Sequence, residues 1–263
     1  MKALVCKNIK KPDSDIIDLV IGRLRGFGIG AEFSETVHSG CDVVITVGGD
    51  GTILHHGKAA ARLNKPLLGI NTGRLGFMTS LEIGELDNLS RLSSEDYNIS
   101  SRMLLDVEIG GDTFLALNDA VLYKNVNSKM PEFKISVNGS VVSEIRADGM
   151  ILSTPTGSTA YALSAGGPII EPLLDCIEFT QLCAHSLFGR PMIFSAEHPV
   201  AVEFEGAPNH QAVFVSVDGE EGKELKAGET AVIRKSGLRL PLIDLKGGSF
   251  YNAVRNKLMR PLK

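Results

Sequence analysis

The chain has 263 residues, 43% of them apolar and 22% charged, with a formal net charge of −4. Those figures describe an ordinary globular protein of one large domain or two smaller ones, and they exclude a disordered chain. With its basic residues dispersed, the chain lacks the broad positive field of a nucleic-acid binder, so any phosphate site must be local.

The first twelve residues hold one short apolar run, 3–6, followed by Lys7, Lys10 and Lys11, which is no secretory leader. No stretch approaches the ~18 apolar residues of a membrane span. Cys6, Cys41, Cys176 and Cys183 are scattered, without a C-x-x-C pair or a histidine at metal spacing. The expectation is a soluble, cytoplasmic protein with reduced thiols and no membrane partner.

Residues 3–6 read as a short buried strand. Ile16, Ile17, Leu19, Val20, Ile21 and Leu24 follow at helical spacing behind the cap residues Ser14 and Asp15. A weak strand is expected at 33–37. Val43, Val44, Ile45, Thr46 and Val47 form a strong β-branched strand that stops abruptly at Gly48-Gly49. A helix over 52–63, a strand over 66–70 and a turn at Asn71-Thr72-Gly73 come next. Strands alternating with helices argue for a parallel sheet, in which ligands bind beyond the carboxyl ends of the strands. Both 48–52 and 71–77 lie at such ends.

From about residue 103 the pattern changes to short runs separated by glycine: 104–109, 113–117, 133–137, 200–204, 213–217 and 231–234. This is a β-rich second domain, with one small-residue helix expected over 158–165. An amphipathic tail, 250–259, carries Arg255 and Lys257 on its polar side and should pack back on the first domain. The expected division is 1–101 with 241–263 as an α/β domain, and 102–240 as a β-rich domain.

A strand running through Gly48-Gly49-Asp50-Gly51-Thr52 into a helix suits a phosphate. Glycines allow close backbone approach, and N–H groups of the turn and helix start point at the anion. Neither a Walker A loop nor a G-x-G-x-x-G is present. Asp50 is either a turn former or, among phosphates, a proton acceptor or magnesium ligand. One turn later, His55 and His56 could reach a ligand or simply pack. Phe77 could be core or a plate for adenine, and Arg74 could meet phosphate or water. Further on, Ser153, Thr154, Thr156, Ser158 and Thr159 surround Pro155 and Gly157 ahead of Tyr161, offering either ligand donors or an ordinary helix cap.

Gly48 to Thr52 with Asn71 to Phe77, Asn118-Asp119, and the run Asp148 to Tyr161 followed by Ala165-Gly166-Gly167-Pro168 together resemble the NAD kinase family. Diacylglycerol kinases and phosphofructokinases resemble the first motif too; the second, in this order and spacing, narrows the match. The resemblance implies an α/β N-terminal domain with a parallel sheet, a β-rich C-terminal domain and an active site in the cleft between them. It implies transfer of a phosphoryl group from ATP or polyphosphate to the 2′-hydroxyl of the adenosine ribose of NAD, giving NADP. Magnesium or another divalent cation would assist, in a homodimer or homotetramer.

Residue by residue, Asp50 matches the family's proton acceptor, with Gly51 beside it. Asn118 and Asp119 match its Asn-Glu pair, and Arg146 and Asp148 flank its next motif. Thr156 belongs to that motif, and Thr159, Ala160, Tyr161, Ala162, Leu163 and Ser164 match its dinucleotide-contacting run. His55 and Lys129 fall at family contact positions outside the motifs. Two departures stand out: Asp119 is one methylene shorter than the common Glu, and Glu220 replaces a frequent Gln and cannot donate as an amide does. The rival readings are a lipid or sugar kinase sharing the turn, and a non-catalytic NAD-sensing module.

Overall fold

The computed structural model describes all residues except 8–13, 74–75, 126–128, 187–188, 207–211, 221 and 260–263. Two compact units emerge: Met1–Arg102 with Leu238–Lys263, and Met103–Gly237.

Unit 1 opens with β1 (Lys2–Lys7), α1 (Ser14–Gly26), β2 (Gly30–Phe33), β3 (Val43–Val47), α2 (Asp50–Arg62), β4 (Leu67–Asn71) and β5 (Leu81–Glu82). A 3-10 turn over Ile83–Leu89 and the one-turn helix α3 (Ser90–Ser93) follow. Every residue of β3 and β4 is buried, as expected of central strands in a parallel sheet. The strands run in the order β4-β3-β1-β2, all parallel, with β5 pairing the end of β4. Ile17, Val20 and Leu24 of α1 face the core formed with Val5, Ile45, Leu68 and Ile70. The strand expected at 33–37 instead ends at Phe33, and the polar, exposed residues after it bend away.

Unit 2 is built from β6 (Asn98–Ile109), β7 (Asp112–Ala116), β8 (Asp119–Lys124), β9 (Glu132–Val137), β10 (Ser140–Arg146) and β11 (Gly149–Ser153). Then come the one-turn helix α4 (Tyr161–Ser164), β12 (Cys176–Leu182), β13 (Met192–Ser195), β14 (Val200–Gly206), β15 (Val213–Val217), β16 (Glu224–Leu225) and β17 (Thr230–Asp244). One antiparallel sheet has the order β13-β12-β11-β8-β15-β16. Facing it, β10, β9, β14 and the first part of β17 pair in turn, and β6 pairs β17 and β7. A single core joins the two layers through Phe133, Ile135, Val202 and Phe204 on one side and Leu122, Leu152, Phe179 and Val215 on the other, the arrangement of a β-sandwich.

The helix expected over 158–165 is broken. A 3-10 turn, Gly157–Thr159, and α4 are separated by Ala160, whose φ of −103° and ψ of −122° leave the helical region. The chain crosses between units inside β6 and β17, and β17 returns to unit 1 to pair β4 in parallel at Leu242 and Leu67. The tail forms α5 (Ser249–Lys257) in unit 1, burying Ala253 and Val254.

Candidate functional site

In unit 1 the chemistry gathers where β3 and β4 end. Gly48 has φ +153°, and a Cβ on it would lie 2.2 Å from Thr52 Oγ1. Only glycine passes there without strain. The Gly48 N–H donates to the Ile70 carbonyl at 2.9 Å, and Thr52 N–H to the Gly49 carbonyl at 2.9 Å. The Thr52 hydroxyl oxygen is buried without a partner. Helix α2 begins at Asp50 with Gly49 as an N-cap that supplies no side-chain bond. At the start of a helix the leading N–H groups, here those of Asp50 and Gly51, have no carbonyl of the preceding turn to bond, and the positive end of the helix dipole lies there.

Asp50 ties the two turns together. Its Oδ2 accepts the Phe77 N–H at 2.7 Å and its Oδ1 the Met78 N–H at 3.1 Å. Each carboxylate oxygen keeps a lone pair, and the residue is half-exposed. Gly76 makes this approach possible, since a Cβ there would lie 1.9 Å from Asp50 Oδ1. Arg102, 5% exposed, adds a buried positive charge attracted by Asp244 and Asp50; burial lowers its guanidinium to about 10. Neither Arg102 nor the two N–H donors was singled out from sequence, because nothing local marks them. From α5, the Lys257 ammonium lies 4.5 Å from the centre of the half-buried Phe77 ring. His55 is exposed, whereas His56 is buried with Nε2 3.1 Å from the Lys7 carbonyl oxygen. Burial lowers the His56 pKa, so it packs as a neutral ring. Arg74 lies outside the described residues.

In unit 2 a second set converges on the start of β8. Asp218, in a left-handed turn with φ +53°, accepts the N–H groups of Leu117, Asn118 and Asp119 at 2.9, 2.8 and 3.2 Å. The Asn118 carbonyl accepts the Thr154 N–H at 2.8 Å and the Ser153 hydroxyl at 3.1 Å. Gly157 presses on the same carbonyl, where a Cβ would meet the oxygen at 2.3 Å. Asn118, Asp119 and 153–159 are thus one cluster. The Asn118 side-chain oxygen is buried without a partner. Asp119 is 6% exposed, and burial followed by the neighbouring Asp218 charge pushes its carboxyl up to about 7.

The hydroxyls between 153 and 159 do less for a ligand than their density suggests. Ser153, Thr154, Ser158 and Thr159 donate to the carbonyls of Asn118 or Thr154, Leu117, Pro155 and Thr156 respectively. They build the loop, and Thr156 is buried within it. Tyr161 is exposed, Ala162 is buried, Ala160 and Leu163 are intermediate, and Ser164 is exposed. Arg146 pairs with Glu132, and Asp148 with Lys124 at 3.4 Å. Lys129 and Glu220 are exposed.

Among the described residues no three His, Cys, Asp or Glu side chains are placed to hold a metal. A magnesium ion carried on phosphates needs only one or two protein carboxylates, and Asp50 with its remaining lone pairs is such a group.

Comparison with known proteins covers most of the chain. Residues 8–97 match the family model for the ATP-NAD kinase N-terminal domain, and residues 117–245 that for the C-terminal domain. The NAD kinase of Acetivibrio thermocellus is 37% identical over 223 residues, 82% of this chain and 77% of the relative. That of Magnetococcus marinus is 40% identical over 230 residues, 85% of this chain and 75% of the relative. Among solved structures, an NAD kinase from Archaeoglobus fulgidus in complex with ATP superposes with a TM-score of 0.77 at 27% identity, covering 96% of each chain. Yeast NADH kinase complexed with NADH gives a TM-score of 0.84 at 22% identity, covering 100% of this chain and 90% of that one, and speaks to the fold alone.

Proposed function

The chain belongs to the NAD kinase family, and we propose that its turn at 48–52 is where the phosphoryl group passes to the 2′-hydroxyl of the adenosine ribose. The activity is phosphorylation of NAD to NADP. What carries the assignment of the centre is the Asp50 carboxylate, held at the start of α2 by the N–H groups of Phe77 and Met78. Rigid placement of this kind supplies the orientation that phosphoryl transfer depends on.

A carboxylate is too weak a base to remove a ribose hydroxyl proton beforehand. In a loose transition state the proton leaves late, so Asp50 orients the hydroxyl and accepts its proton as the new P–O bond forms. The first-turn N–H groups of α2, with Gly48, Gly49, Gly51 and Thr52 shaping the approach, face the phosphates. ATP, carried as its magnesium complex, is the proposed donor, with polyphosphate as the alternative; the ATP complex of the A. fulgidus relative supports ATP.

Unit 2 reads the dinucleotide in this proposal. Asn118 offers a buried amide oxygen without a partner, which suits the exocyclic amine of adenine. Asp119, Arg146, Asp148, Thr156, 159–164 and Lys129 are the remaining proposed contacts, with Phe77 and His55 from unit 1. A cytoplasmic homodimer or homotetramer is the proposed state, and the free thiols of Cys6, Cys41, Cys176 and Cys183 suit a reducing compartment. Among the described residues no helix is long and apolar enough to cross a membrane.

The test is incubation with NAD, ATP and magnesium while NADP is followed. NADP with its new phosphate on the 2′-oxygen supports the reading. Phosphorylation of a lipid or sugar in its absence would overturn it.

A further inference from the structure

Glu178 is a carboxylate that the proposed chemistry leaves unused. It lies on β12 at 0% exposure, a rare position for an acid. Strand pairing sets Glu178 opposite Ser153, and Ser153 opposite Asp119, so the three side chains form a row on one sheet face. The next row on that face is Thr180, Ile151 and Val121, and Val121 and Ile151 pack against Ala162 of α4. Leu152 and Phe179, on the opposite face, belong to the sandwich core. Glu178 therefore lies beneath the segment 161–167.

The pocket is closed around it. Thr180 donates its hydroxyl to Oε1 at 2.9 Å, while Oε2 is buried without a partner. Gly167 passes so close that a Cβ would lie 1.9 Å from Oε1. The ionisable groups near it are Cys176 on its own strand, Asp119 on β8 and, behind Asp119, Asp218. Asp175 is paired with Lys235 at 3.0 Å. Among the described residues no cation pairs with Glu178.

We propose that Glu178 is a positioning residue for the dinucleotide site: it fills its pocket as a neutral carboxylic acid, and its ionisation loosens NAD by lifting 161–167 and charging the floor beside Asp119. An ionised Glu178 would hold a full charge in a closed pocket with the Thr180 hydroxyl as its one donor among the described residues, at Oε1 where Gly167 also presses, so hydrating that charge requires the packed chain to give way. Burial raises the carboxyl to about 7, with the Asp119 charge adding to the rise and the Thr180 bond opposing it. Ionisation thus falls within the working range of an enzyme.

The inference rests on assigning Asp119 and 161–164 to the dinucleotide. Its test is the pH dependence of kcat and of KM for NAD between pH 6 and 9, in the wild type and in Glu178→Gln. Wild-type KM should climb above neutrality, approaching about tenfold per pH unit as the competent fraction falls, with kcat nearly constant. In Glu178→Gln, neutral at every pH, the climb should flatten to the part owed to Asp119, whose own carboxyl is pushed up to about 7. Carboxyl-labelled glutamate followed by NMR should give one resonance titrating near neutrality in the wild type and missing from the variant. An alkaline rise unchanged in Glu178→Gln, or no glutamate titrating above the ordinary range, would overturn the proposal. Should Asp119→Asn leave KM for NAD unchanged at pH 7 while the glutamate still titrates high, the site assignment fails, and the link to NAD with it.

Discussion

Asn118 combines a fully engaged backbone with a side-chain oxygen that is buried and unpartnered. Such an atom costs about 1–3 kcal/mol until a donor reaches it. If adenine's amine is that donor, a dinucleotide carrying hypoxanthine should be used about 5- to 150-fold less efficiently, and Asn118→Ala should shrink the difference. Equal kcat/KM for both dinucleotides in the wild type would remove Asn118 from the base. Phe77 belongs to the same scale. Lys257 lies over its ring; if the ring stacks on adenine as proposed, Phe77→Ala should raise KM for NAD more than it lowers kcat, by the ~1–3 kcal/mol of one base stack. An unchanged KM would return it to the core. Sequence marked both residues through their motifs. It could not mark the bonds that fix them, from Asn118 to Asp218 100 residues on and from Phe77 to Asp50 27 residues back, because long-range backbone bonds leave no local pattern.

Two glycines separate catalysis from folding at the level of elements. Gly76→Ala would push a Cβ to within 1.9 Å of Asp50 Oδ1, displacing the carboxylate while β3, β4 and α2 stay paired. It should lower kcat by roughly tenfold to a hundredfold, the cost of about 1 Å of misplacement, with little change in Tm. Gly48→Ala instead meets Thr52 and a left-handed φ, which should cost about 1–3 kcal/mol of stability and lower Tm. A Gly76→Ala enzyme with normal kcat would mean that the 76–78 turn does not place Asp50. Elements whose pattern is set by burial were legible: the β-branched run of β3 is buried throughout, and of the apolar residues at helical spacing in α1, Ile17, Val20 and Leu24 are buried while Leu19 is exposed. The break at Ala160 was not, since alanine favours helix and the interruption comes from tertiary contacts, with Gly157 pinned against Asn118. Propensity loses to packing there.

At the scale of the whole molecule, the alternation of strand and helix, then of strand and turn, made both halves readable, because each buries its own core. The buried Glu178 was invisible, since an acid in an apolar run reads as an exposed position until its neighbours are known. Its carboxyl is raised from 4.5 to about 7 by burial, so the folded protein holds that proton more tightly than the unfolded chain. The contribution is complete below about pH 4.5 and lost as pH rises through about 7. Glu178→Gln carries no such dependence, so its Tm should gain on the wild type across that window and hold a constant lead above it; a difference independent of pH would contradict this. The central claim, that the carboxylate at the start of α2 is where NAD is phosphorylated, is tested most directly by Asp50→Asn at saturating NAD, ATP and magnesium, with dinucleotide binding measured alongside. The account predicts a loss of turnover of about 10²–10⁴-fold in a protein that still binds NAD; near wild-type turnover would contradict it.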